Sequence, residues 1–267
     1  MTRAVRHAEF IGAGTARRFL MAYAPSDAAP QRCYLVAPAF AEEMNRSRDA
    51  LREFALAAAD QGAATHILDL RGTGDSPGEF GDYSVDDWCN DLLAAVEDAR
   101  TRYGATLITL LGIRFGALLA ARVAAQAQVT DLLFWQPATE GKRLMREFLR
   151  VWSAANMGVD EDARTVLARE GTLEVAGYRI DPSLVEAIDA MTLSLPEGNT
   201  MQVHWLEAGA AVSPRSERHI QGLRDAGHDI ASRSVDCPPF WRVQERVDAT
   251  ALVTASLLAP DPALSHG

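Results

Sequence analysis

The chain is poor in the residues that narrow a function at sight. Its 267 residues hold three cysteines, Cys33, Cys89 and Cys237, far apart and with no C-x-x-C pair. That spacing supports neither a disulfide framework nor a metal site, and free thiols of a reducing cytoplasm are expected. No stretch approaches the ~18 uncharged apolar residues of a membrane span, and the most apolar segment is broken by Arg114 and Arg122. The amino-terminal residues Met1–Ala8 lack the apolar segment of a secretory signal. Positive charge is in deficit too: 26 Lys and Arg stand against 36 Asp and Glu, a formal charge of −10. Nucleic acid and anionic membrane are therefore poor partners, and the expected setting is cytoplasmic, without a metal or cofactor.

What remains is rich in core. With 48% hydrophobic and 23% charged residues, the chain can bury one large α/β domain spanning 1–267. Strands are expected at Phe19–Tyr23, Cys33–Ala37, Thr65–Leu70, Thr106–Leu111, Asp131–Pro137, Met201–Leu206 and Asp229–Val235. Helical periods fall between them, at Ser47–Asp60, behind a Ser84/Asp87 capping box, from Ala117 to Ala127 and near Arg215–Ala226. A last helix is expected from Trp241 to Leu258, with a disordered tail after 260. This alternation implies a mostly parallel central sheet with helices on both faces. Residues 138–199 break the rhythm with a charged helix (Lys142–Ala155), an acidic stretch and a strand-like Leu173–Tyr178. They read as a mainly helical lid inserted above the sheet.

The most informative stretch is Gly112-Ile113-Arg114-Phe115-Gly116. A buried strand leads in and an alanine-rich helix leads out, the setting of a G-x-S-x-G nucleophile elbow. Arginine holds the serine's place. It is a permanent cation without an accessible lone pair and cannot form an acyl-enzyme. A base should follow the last strand, yet Asp236-Cys237-Pro238-Pro239-Phe240-Trp241 holds no histidine. His66 and His204 belong to strands, His219 to a helix, His228 precedes its strand, and His7 and His266 are near the ends. The acid position after the Met201–Leu206 strand offers Glu207, read as a solvated strand-end carboxylate. Triad catalysis is thus not expected, and no catalytic residue is assigned beyond the elbow position itself.

A guanidinium in a cleft needs a counter-charge. The loop after the Cys33–Ala37 strand lies beside the elbow in this architecture, and it supplies Phe40, Glu42 and Glu43. Two readings stay open. In one, Glu42 or Glu43 plugs the site by pairing with Arg114; in the other, Arg114 grips a small anionic or acyl ligand. A third use, Glu42 as a general base on water, completes the set. Trp135, Gln136 and Phe240 are candidate lining residues because they close strands or loops at the same end of the sheet.

Asp69-Leu70-Arg71-Gly72-Thr73-Gly74-Asp75-Ser76 together with the elbow glycines resembles the α/β-hydrolase superfamily. More narrowly, Pro38–Arg48, the elbow, Phe134-Trp135-Gln136-Pro137 and Pro238-Pro239-Phe240-Trp241 resemble the exosortase A system-associated hydrolases of the second type. That resemblance runs from about Thr15 to about Glu245. It implies an α/β-hydrolase fold and a partner in exopolysaccharide or protein-sorting machinery. It implies no particular reaction, and a genuine esterase or thioesterase with non-standard residues stays the alternative.

Overall fold

In the computed structural model, residues 4–104, 107–158 and 160–258 are described. The chain runs β1 (Ala4–Ile11), β2 (Arg18–Pro25), β3 (Arg32–Ala37), α1 (Glu42–Arg46), α2 (Arg48–Asp60), β4 (Ala63–Leu68) and α3 (Val85–Tyr103). It continues with β5 (Leu107–Ile113), α4 (Phe115–Ala124) and β6 (Asp131–Trp135). An inserted segment follows: α5 (Gly141–Ala155), α6 (Ala163–Glu170), β7 (Leu173–Val175), β8 (Tyr178–Ile180) and α7 (Pro182–Asp189). The sheet then resumes with β9 (Gln202–Ala208), α8 (Pro214–Asp225), β10 (Asp229–Val235) and α9 (Thr250–Leu257).

Eight strands form one sheet in the order β1-β2-β4-β3-β5-β6-β9-β10. The first two pair antiparallel to each other and β2 pairs antiparallel to β4; the remaining neighbours are parallel. Parallel strands are buried on both faces, which is why β5 reads as an almost continuous apolar run. Helices α2 and α9 cover one face, while α3, α4, α8 and the insertion cover the other. Strand β3 lies between β4 and β5, so the chain leaves its end in one direction and returns on the other side. The loops after β3 and β5 therefore diverge, opening the crevice where ligands bind in such sheets.

Local chemistry explains the element ends. Ser84 and Asp87 form the expected reciprocal cap on α3, and Gly104 at φ 75° closes it. Two expectations need correction, and one strand is additional. Leu173–Tyr178 is not one strand but the β7–β8 hairpin, because Ala176 and Gly177 adopt φ of 50° and 86° and turn the chain between Val175 and Tyr178. The last helix begins at Thr250 rather than Trp241: Pro238 and Pro239 supply no amide donors, and Asp248 receives the Thr250 N–H at 2.9 Å. Strand β1 was not foreseen, since as an exposed edge it lacks a strong apolar alternation. The expected tail after 260 lies outside the described residues, as do Thr106 and His266.

Candidate functional site

The elbow keeps its backbone geometry without its nucleophile. Arg114 sits at φ 53° and ψ −112° between β5 and α4. For a non-glycine residue this region is strained and persists only when the surroundings impose it. They do so through three hydrogen bonds: Arg114 N–H donates to Trp135 O at 3.1 Å, and Arg114 O accepts from Ala117 and Ala138 N–H at 3.2 and 3.0 Å. The flanking glycines are sterically required. A Cβ on Gly116 would lie 1.9 Å from the Ala37 carbonyl oxygen, and one on Gly112 would lie 2.5 Å from the Ala117 Cα. Helix α4 thus starts hard against β3, and Arg114 is aimed into the crevice.

The Arg114 side chain, with the whole residue 8% exposed, meets two carboxylates. Its Nε donates to Glu43 Oε1 and Oε2 at 3.3 and 3.2 Å, and its Nη2 reaches Glu43 Oε1 at 3.2 Å. The same Nη2 donates to Glu147 Oε2 at 2.9 Å. Glu147 belongs to α5 of the insertion, and its other oxygen accepts from Arg143 Nε at 3.1 Å. The Trp241 ring stacks on the guanidinium, 5.6 Å from centroid to Cζ. Among the described residues Nη1 has no hydrogen-bond partner, so one edge of the fork is uncommitted.

Electrostatics separates the two carboxylates. Burial pushes the Glu43 carboxyl above its ordinary range, with the Arg114 charge opposing the rise. Burial works against ionised Glu147 as well, but Arg114 and Arg143 together hold its carboxyl below the usual range. For Arg114, the cost of burial is outweighed by Glu43 and Glu147, and its pKa is raised. The guanidinium is charged at every accessible pH.

A cleft of about 340 Å³ opens over this cluster, with Gln136, Arg143, Cys237, Trp241 and Arg242 among its walls. Of the seven residues expected at the site, the structure brings Arg114, Glu43 and Gln136 together. Gln136 Oε1 also accepts from Ala208 N–H at 2.9 Å, tying the wall to β9. Glu42 turns away, within 3.1 Å of Asn45 Nδ2 and facing a neighbouring pocket with Tyr178. Phe40 is a core residue, ringed by Phe80, Trp88, Phe115 and Phe148 in edge-to-face contacts. Trp135 is fully buried on the opposite face, donating from Nε1 to Ser256 Oγ at 2.8 Å. Phe240 packs on Trp135, and its neighbour Trp241 takes the cleft position. Glu147 was missed; its one legible signal is the i,i+4 spacing from Arg143 on an amphipathic helix.

Among the described residues no triad lies nearby. Glu207 corrects the expectation of a solvated carboxylate: it is 3% exposed, accepting from Trp205 Nε1 at 3.0 Å and Ser213 N–H at 2.9 Å. Both bonds are structural. His66 lies 3.0 Å from the Tyr103 hydroxyl, and burial lowers its pKa to about 4. His204 is likewise lowered to about 4 by burial, His219 contacts Leu193 O at 2.8 Å, and His228 Nδ1 accepts from Met201 N–H at 3.3 Å. None of these lines the cleft. Cys237 does, but burial pushes its thiol up to about 11, leaving little thiolate at neutral pH. A second cavity of about 570 Å³, lined by Gln31, Asp131, Gln202 and Asp229, lies at the amino ends of the strands, the far side from the elbow. Among the described residues no three metal-ligating side chains cluster, and no helix is long and apolar enough to cross a membrane.

Known proteins resemble this arrangement in fold. The family model for Serine aminopeptidase, S33 matches residues 18–193. Est1E from Butyrivibrio proteoclasticus, solved with ferulic acid bound, superposes with a TM-score of 0.61 at 19% identity, over 85% of this chain and 88% of that one. Mouse alpha/beta hydrolase domain-containing protein 10 gives 0.57 at 16% identity, over 85% and 88%. A hydrolase structure from Agrobacterium vitis S4 gives 0.55 at 19% identity, over 87% and 90%. No curated protein sequence matches the chain.

Proposed function

The chain belongs to the serine aminopeptidase S33 family of α/β hydrolases, and from that premise we propose that its cleft binds a small acidic or acyl-bearing molecule without serine-type hydrolysis. The observation that carries this reading is the half-satisfied Arg114. Its Nε and Nη2 are held by Glu43 and Glu147, while Nη1 is left to the cleft. The held edge fixes the guanidinium plane, and the open edge is preorganised for a carboxylate or phosphate oxygen. Trp241 adds support. Its ring lies over the guanidinium and forms part of the cleft wall.

On this reading the chain is a pseudoenzyme of the cytoplasm, and residues 138–199 act as a lid over the cleft. The likeness of Pro38–Arg48 and Phe134–Pro137 to exosortase A system-associated hydrolases supports work beside exopolysaccharide or protein-sorting machinery. Either a small molecule of that pathway or one of its proteins would be the partner. A second reading keeps hydrolysis, with a carboxylate as general base. The raised Glu43 carboxyl favours it. Engagement of both Glu43 oxygens by the Arg114 cation counts against it, because hydrogen bonding to a cation weakens a carboxylate as a base.

A thermal-shift screen of carboxylates, acyl thioesters and phosphates tests the proposal. Saturating binding at about a hundredfold over Kd stabilises by about 2.7 kcal/mol, a shift of roughly 5–10 °C for a chain of this size. Anions are expected to produce it in the wild type and not in Arg114→Gln. Steady turnover of p-nitrophenyl esters by the wild type, or stoichiometric labelling by a fluorophosphonate, would overturn it.

A further inference from the structure

Helix α5 carries Arg143, Arg146, Glu147 and Arg150 at i, i+3, i+4 and i+7, one stripe of its surface. That stripe continues the cleft outward. Glu140, Arg143, Glu147 and Arg215 line the cleft, and with Arg146 and Arg150 they also line an adjoining pocket of about 230 Å³. The glutamates there are already engaged: Glu140 with Arg215 at 3.2 Å, and Glu147 with both Arg114 and Arg143. Arg146, Arg150 and Arg242 have no ion pair among the described residues. In a chain of formal charge −10, this is a local reversal of sign. Placing Arg146 and Arg150 four residues apart costs helix stability through like-charge repulsion, so it is unfavourable for folding alone.

Resting on the reading of Arg114 above, we infer that the cleft takes a ligand with two separated anionic groups, one on Arg114 and one on Arg146 and Arg150. The spacing follows from the geometry. Glu147 bridges Arg114 at 2.9 Å and Arg143 at 3.1 Å, so those two guanidiniums are neighbours. Arg150 is seven residues further along α5, about 10 Å at the helical rise per residue. A group held between Arg146, three residues on, and Arg150 therefore sits roughly 7–8 Å beyond Arg143 along α5. Phosphate or carboxylate at either end meets the same chemistry, since the oxygens of both accept from arginine N–H groups, from Nη1 alone at Arg114. Gln136 and Thr139 add polar groups to the walls of the Arg114 cleft. A mouth of net positive charge also draws such a ligand in, through the field of the unpaired arginines.

The test is calorimetric titration of the full chain at low ionic strength with α,ω-alkanediol bisphosphates, from propanediol to decanediol, against the matching monophosphates. The expected result is a length optimum at which the bisphosphate binds at least about tenfold tighter than its monophosphate. In Arg146→Gln/Arg150→Gln that ratio falls close to one, whereas Arg114→Gln weakens both ligands. A control removing two exposed arginines elsewhere, Arg6→Gln/Arg52→Gln, keeps the ratio and so separates a subsite from bulk charge. Monophosphate binding with no bisphosphate advantage at any length overturns this inference alone. So does an advantage that survives in Arg146→Gln/Arg150→Gln, or one that the control abolishes equally. Failure of both ligand series to bind overturns the anion-binding reading as well. Binding of polyglutamate with neither phosphate series would point instead to an acidic protein surface and overturn the small-ligand assignment.

Discussion

Glu147 Oε2 lies 2.9 Å from Arg114 Nη2, although one residue stands on α5 of the insertion and the other at the elbow of the sheet. This contact ties the cover of the cleft to its floor. Because Glu43 holds the same guanidinium from the β3 side, three separate chain segments converge on one charge. Such a cluster is sensitive to the loss of any member, and the consequences differ from member to member.

Removing the cation is the most severe change. Arg114→Leu leaves the part-buried Glu43 carboxyl, 25% exposed, with only the Arg242 charge acting on it, and a loss of about 1–2 kcal/mol at neutral pH is expected. The pH dependence has a definite sign. Burial already raises the Glu43 carboxyl, and without Arg114 it rises further. The native state then binds more protons than the unfolded one between the ordinary and the raised value. Stability of the variant is therefore greatest below the ordinary carboxylate range and is lost as pH rises through the raised value. Urea unfolding at mildly acidic and mildly alkaline pH measures it; a flat difference from the wild type would contradict the burial of Glu43.

Glu147→Gln behaves oppositely. Its carboxyl is held below the usual range by Arg114 and Arg143, so its contribution is present above the ordinary value and fades as pH falls through the lowered one. The side chain is 29% exposed, which limits the cost to about 1 kcal/mol or less. The more telling readout is amide hydrogen exchange. Exchange in α5 is expected to accelerate while that of β5 is unchanged, because the change weakens the tie to the floor and the Arg143 pair within α5 and touches no backbone bond of β5.

Restoring a serine restores no enzyme. Arg114→Ser places a hydroxyl on a strained elbow, but among the described residues no histidine lines the cleft to take its proton. Hydrolysis of p-nitrophenyl acetate is expected to stay at background, and a fluorophosphonate should label the variant no faster than free serine. Strong esterase activity would show that a base reaches Arg114's position through a rearrangement of the chain.

Gly116→Ala tests the elbow's packing. The new methyl would fall 1.9 Å from the Ala37 carbonyl, a backbone atom with nowhere to move inside the sheet. A cost above about 3 kcal/mol is expected, visible as a large drop in Tm or as insoluble protein. A neutral result would mean that α4 does not press against β3 as described.

Glu207→Ala should damage stability by about 2–3 kcal/mol, leaving the Trp205 and Ser213 N–H groups unpaired. Anion binding by the residual folded protein should persist, since this buried carboxylate holds structure and does not face ligand. Chemical unfolding combined with the thermal-shift assay separates the two effects.

Local chemistry alone determined a good deal of this molecule. The capped helix from Ser84, the buried run of β5 and the glycine-framed turn at Arg114 each follow from residues a few places apart. So does the missing base, since Asp236-Cys237-Pro238-Pro239-Phe240-Trp241 directly after β10 holds no histidine. Which residues meet Arg114 was decided only in three dimensions. Glu42 and Glu43 are adjacent in sequence, yet only Glu43 faces the crevice, because Ala41 at φ 52° starts α1 in one orientation and a helix turns neighbouring side chains far apart. Trp135 and Gln136 divide the same way, one into each side of the sheet's end. Glu147 is 33 residues beyond Arg114, and no local period records that the insertion folds back to place it there. A charge's partner is set by the direction of a side chain and the path of a distant loop, and those belong to the tertiary structure.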